Sequence, residues 1–215
     1  MRQGVSRLRV WECSTGERVL LDLGVAWLEE DTLLTLTSEE STDVFNLDQG
    51  ESSAIATRDG PVLSGPSDLV AHDAERGLTA FTHEDGTIAI ASIRLIDGQW
   101  VAELTVTLAA PTSAVHSADF SRDGRAPITS NVKGPCLIWD LEAGVSLVTL
   151  PEQSQELIFI VPFFADNSRV AVGRFRRPIA VYDASNGRYL LTLHESNARL
   201  SVSRSGERFI AASRW

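Results

Sequence analysis

The chain has 215 residues, a formal net charge of −10 and an apolar fraction of 43%. That length suffices for one sizeable core, and so acidic a chain is repelled by phosphate backbones and anionic lipid, which argues against nucleic acid and membrane surfaces as partners. Two cysteines, Cys13 and Cys136, cannot complete a four-ligand zinc site.

The N-terminal residues 1–13 show no apolar stretch followed by a small-residue cleavage site, so no secretory signal is expected. The longest apolar run, residues 157–164 (LIFIVPFF), is far below the ~20 residues that a membrane helix needs. A cytoplasmic protein is the expectation.

Taken in order, the chain repeats one pattern. An apolar residue, an aromatic and an acid or amide are followed by glycine five residues after the aromatic. The copies are Val10-Trp11-Glu12 with Gly16, Val44-Phe45-Asn46 with Gly50, Ile138-Trp139-Asp140 with Gly144, and Val181-Tyr182-Asp183 with Gly187. An earlier turn precedes each complete copy, at Glu30-Asp31, Arg76-Gly77, Asp123-Gly124 and Asp166-Asn167. The turn at Gly77 puts a further landmark at Ala91, in a copy that lacks the aromatic and whose glycine, Gly98, is displaced by two residues. The landmarks at 11, 45, 91, 139 and 182 are 34, 46, 48 and 43 residues apart.

The clearest unit is residues 115–150. Alternating apolar residues between turns at Asp123-Gly124, Lys133-Gly134 and Glu142-Ala143-Gly144 predict four antiparallel strands in a meander. A four-stranded sheet cannot bury both faces alone, and repeats of this length with four strands each point to propeller blades, stacked so that each covers the next. No segment carries a 3.6-residue apolar period. The expected fold is therefore all-β, a β-propeller of four-stranded antiparallel blades. Four are complete, at residues 24–57, 67–108, 115–150 and 157–193, with half blades at 8–23 and 198–215. The half blades fit either a piece of a larger propeller, which is favoured, or a five-bladed ring closed by pairing them. The turn-rich residues 58–66 read as a connector rather than a domain boundary.

Ile138-Trp139-Asp140, Phe120-Ser121-Arg122-Asp123-Gly124 and Asp85-Gly86-Thr87-Ile88 resemble the signatures of the WD40 repeat family. The resemblance runs from about residue 8 to residue 215. It makes Trp11, Phe45, Trp139, Asp140, Tyr182 and Asp183 the structural repeat signature. It implies a non-catalytic scaffold that binds proteins or peptides without a cofactor. The family's Gly-His pair is absent; Ala110-Pro111 stands there before the copy at Trp139, and His194 is one residue out of register in the last. Without that histidine the family's buried Asp-His-Ser-Trp hydrogen-bond chain cannot form as such, so packing must hold the blades.

Candidate chemistry is sparse. His72 and His116 fall on predicted first strands but out of register with each other, which argues against a shared metal site. His83-Glu84-Asp85 pairs imidazole with acid but lacks a nucleophile or oxyanion donor, and Asp-Gly there suits a turn. The most distinctive charged feature is Arg174-Phe175-Arg176-Arg177, where the acidic turn of a blade is expected. Arginine forks around a phenylalanine suit an acidic peptide or phosphate, although a solvated turn whose arginines offset neighbouring acids is the favoured reading. The competing readings are a propeller enzyme, a lactonase or quinoprotein-like dehydrogenase, which requires polar groups converging on a channel, and the sensor propeller of a longer regulatory protein.

Overall fold

The computed structural model describes residues 8–11, 18–22, 24–29, 32–36, 42–46, 49, 51–58, 67–73, 75–83, 85–110, 115–131, 134–151, 158–160, 162–164, 166–174, 177–196, 198–202 and 209–213. Among them every regular element is a strand, and the sheets are small and built mainly from antiparallel neighbours. The chain divides into two compact units, residues 1–83 with 89–105, and residues 84–88 with 106–215.

In the first unit, β1 (Leu8–Trp11) and β2 (Arg18–Asp22) form a two-stranded pair. Then β3 (Gly24–Glu29), β4 (Thr32–Leu36), β5 (Thr42–Asn46) and β6 (Glu51–Ala54) follow as a four-stranded meander. The next sheet holds β8 (Ser67–Asp73), β9 (Leu78–His83), β10 (Thr87–Ile96) and β11 (Gln99–Ala109), with β7 (Ala56–Thr57) added beyond β11. Thr87–Ile88 and 106–109, the ends of two of these strands, belong to the second unit. Leu34 and Val44 of the first sheet bury against Phe81, Ala89, Ala91, Ile93 and Ala102 of the second. Alternation puts one apolar row on the packed face, and burial of that row drives the two sheets together.

The sheet-crossing strand departs from the sequence reading, which ends the first four-strand unit at residue 57. The chain leaves the first sheet at Ile55. Ala56 and Thr57 then run parallel to Val101 and Ala102 of β11. The amide of Arg58 donates to the carbonyl of Ala102 at 3.2 Å, and its guanidinium pairs with Glu103 at 3.2 Å.

The displaced Gly98 also has a physical reason. β10 and β11 are ten and eleven residues long, and they meet in a tight turn in which both Asp97 (φ 50°) and Gly98 (φ 79°) are left-handed. Two successive positive φ values match the right-handed twist of a long hairpin.

In the second unit, β12 (Val115–Phe120), β13 (Pro127–Asn131), β14 (Cys136–Asp140) and β15 (Val145–Thr149) form one four-stranded meander. β16 (Ile158–Ile160), β17 (Arg169–Arg174), β18 (Pro178–Asp183) and β19 (Tyr189–Ser196) form another. β20 (Ala198–Val202) and β21 (Phe209–Ser213) pair beside them in sequence. Within the apolar run at 157–164 the described strand is β16. Beyond Ile160, Phe163 makes an isolated bridge to Val170, while Pro162, which has no N–H, accepts from the Ala171 amide at 3.0 Å.

The two meanders of this unit pack by their apolar rows. Ile128, Cys136, Ile138, Val148 and Leu150 meet Phe163, Val170, Val172, Ala180 and Tyr182. The opposite face of the later sheet carries Phe164, Ala171, Ile179 and Val181. Polar stitches join the same pair of sheets: the Phe163 amide donates to Asp119 Oδ2 at 2.9 Å, and the Arg122 amide donates to Asn167 Oδ1 at 2.7 Å.

Candidate functional site

The surroundings of the signature residues differ by copy. In the second unit Trp139 is buried, and its indole Nε1–H donates to Thr129 Oγ1 at 2.9 Å. This buried hydrogen bond ties β14 to β13. Asp140 Oδ1 accepts from the amides of Glu142 and Ala143 at 2.9 and 3.0 Å, capping the turn that ends at Gly144 (φ 68°). Asp183 does the same for Ser185, and Gly187 (φ 71°) closes that turn. Phe45 is half-buried on β5; Trp11 lies on β1, and its side chain is outside the described residues.

The spacing of Gly124, Trp139 and Gly144 recurs in Asn167, Tyr182 and Gly187, and by that spacing Thr129 becomes Val172. Tyr182 is fully buried, and among the described residues its own hydroxyl has no hydrogen-bond partner. Its ring makes an edge-on contact with Tyr189, centroids 6.0 Å apart.

The repeat glycines do more than turn the chain. A Cβ at Gly187 would lie 3.0 Å from Val148 Cγ1 and 3.2 Å from the Thr149 carbonyl oxygen, so this turn sits on the last strand of the preceding meander. At Gly144 the corresponding neighbour is Val106 Cγ2, 3.1 Å away.

The arginine turn is the candidate binding site, and the structure separates its members. Arg174 is the last residue of β17 and shares its face with Val170 and Val172, the face that packs on Cys136. It is only 6% exposed. Burial pushes the Cys136 thiol up to about 12; the Arg174 charge acts in the opposite sense and is outweighed. Cys136 is thus a free, buried thiol whose burial disfavours the reactive thiolate. Arg174 is an internal cation, whereas Arg177 is exposed at the turn before Pro178. Phe175 and Arg176 lie outside the described residues.

Two of the histidine side chains, His72 and His83, fall among the described residues. His72 Nδ1 is 2.8 Å from Thr79 Oγ1 across the β8–β9 pair, and its buried Nε2 has no partner among the described residues. Burial lowers its pKa, against the weaker opposing pull of Asp73. His83 is half-buried on β9, and the side chains of His116 and His194 are outside the described residues. Asp85 caps its own turn by accepting from the Thr87 amide and hydroxyl at 2.8 and 2.6 Å. Among the described residues no group of three His, Cys, Asp or Glu side chains could hold a metal ion, and no helix is long and apolar enough to cross a membrane.

Asp123, Asp166 and Asp183 are each held below the ordinary carboxylate range, first by the hydroxyls of Ser121, Ser168 and Ser185 respectively. These are turn caps and remain ionised. The first signal that sequence reasoning missed is the strand parity that turns Arg174 inward; the alternation Val170, Val172, Arg174 carries it. The second is Arg58, whose pairing with Glu103 has no local sequence signature.

Comparison with models of known protein families finds no match, and comparison with curated proteins finds none either.

Proposed function

We propose that the chain is a non-catalytic scaffold of WD40 β-propeller type that binds proteins or peptides through turns on its sheets. The observation that carries this reading is the repeated construction in the second unit. Two meanders bury equivalent apolar rows against one another, and each presents an acid-capped, glycine-closed turn at an equivalent place. The buried rows of the sheets are thereby committed to packing, and the turns are free to vary, which suits a surface that recognises other chains. The exposed end of the arginine turn supplies a bidentate cation on an otherwise acidic protein, fitted to an acidic or phosphorylated peptide. The setting is cytoplasmic, with which the free Cys136 thiol accords.

The test is an array of acidic and phosphorylated peptides probed with the full chain and with an Arg176→Ala/Arg177→Ala variant. Arg174 is left intact because it is buried. Binding that falls at least ~tenfold in the variant supports the reading, since charge-assisted hydrogen bonds contribute about 1.5–3 kcal/mol each. No binding by any peptide, or equal binding by both proteins, removes the arginine turn as the site.

A further inference from the structure

The chain contains its own example of strand addition. β7 joins the outer side of β11 through two residues, and the arginine that follows it pairs with an acid of the acceptor strand. The equivalent last strands of the other complete sheets differ in protection. β6 is polar and exposed along its length, with Glu51 at its start. β15 is different: it carries no charge and no proline, two of the usual protections of a sheet edge, and its one irregularity, the register shift that leaves Leu147 without a partner on β14, lies at the end of its open part. Val145 and Leu147 on it are 51% and 59% exposed. Among the described residues no strand pairs with its outer side. The turn at Gly187 rests at its far end, on Val148 and Thr149, leaving Val145–Leu147 open. That opening, three residues long, has room for a contact like the two-residue one by which β7 is held.

We propose that the open part of β15 receives an extended segment of a partner protein by β-strand addition. Backbone hydrogen bonds would supply the attachment, and alternate apolar side chains would cover Val145 and Leu147. The charge of the occupant follows from its surroundings. Glu142 is exposed just before the strand, and the chain as a whole carries −10. The occupant is therefore apolar with a flanking arginine or lysine level with Glu142, as Arg58 is level with Glu103 in the internal case. This surface is separate from the arginine turn and stands without it.

Three peptides test this against the full-length chain by amide chemical shifts: RVTVS and SVTVR, with the cation at either end, and EVTVS as the acidic control. The expected result is saturable shifts at Val145–Leu147 with one of the cationic peptides, its end revealing strand direction. Leu147→Lys and Glu142→Lys should each weaken binding at least ~tenfold, while Arg176→Ala/Arg177→Ala leaves it unchanged. Leu147 is exposed, so its substitution leaves the core intact. Absence of saturable shifts, equal binding of EVTVS, shifts confined to another strand, or dimerisation through β15 without peptide overturns the proposal.

Discussion

The glycines at 77 and 98 allow packing to be separated from backbone strain within one unit. Both are left-handed, with φ of 66° and 79°. A methyl group at either position carries the same backbone penalty, about 1–2 kcal/mol for an L-residue in this region. Their surroundings differ. A Cβ at Gly98 meets nothing within 4 Å, whereas one at Gly77 would lie 2.8 Å from the Ile93 carbonyl oxygen. That oxygen belongs to a backbone already fixed by the Ile93 amide donating to the Gly77 carbonyl at 2.8 Å. The clash is relieved only by moving β10, which adds about 1–3 kcal/mol of overpacking. Gly98→Ala should thus cost about 1 kcal/mol and Gly77→Ala about 3 kcal/mol. Urea unfolding followed by tryptophan fluorescence reads the difference. With slopes of about 1–3 kcal/mol per molar, the midpoints should separate by roughly 1 M. Equal midpoints for the two variants would refute the reasoning, because only the approach to Ile93 distinguishes the sites.

The same logic in the second unit predicts that Gly187→Ala destabilises more than Gly144→Ala, since the former meets a backbone oxygen and the latter only a valine methyl; thermal unfolding checks the order. Tyr182→Phe removes a buried hydroxyl without a partner, so it should leave stability unchanged or raise it by up to ~1 kcal/mol; a loss above ~1 kcal/mol in urea would show the hydroxyl to be satisfied. His72 has its pKa lowered on folding, so the unfolded chain binds the proton more readily. Its neutral state supports folding above about pH 6.5, and that support drains away as pH falls through 6.5 toward the folded value. Between pH 7.5 and 5.5 the wild type should lose more stability than His72→Gln; parallel losses would exclude His72 as the source. In a Cys13→Ser background, Cys136 should react with a disulfide reagent at pH 8 at least ~100-fold more slowly than free cysteine, and unfolding should abolish the protection.

What could be read from the letters was chiefly punctuation. Asp-Gly at 123–124 and glycine five residues after Trp139 and Tyr182 mark places where only a left-handed residue fits, and such places leave a local trace. Alternation then located the buried rows, including the one bearing Cys136. Features set by distant residues left less trace. Ala56 and Thr57 are ordinary strand letters, and their transfer to β11 depends on which edge lies nearby. Arg174 looked like a surface group because charge usually is; its parity with Val170 and Val172 prevailed because the strand continues to its end. The orphan hydroxyl of Tyr182 emerges only when Val172 is set beside Thr129.

The short step from β6 to β7 ties the fates of two sheets in the first unit. A residue pair that belongs by sequence to one meander supplies the outer hydrogen bonds of another. Peeling either sheet open must strip a strand from its neighbour. Amide protons of β11 facing β7 should therefore exchange at the rate at which the β3–β6 sheet opens, a kinetic seam running through an array that otherwise looks modular.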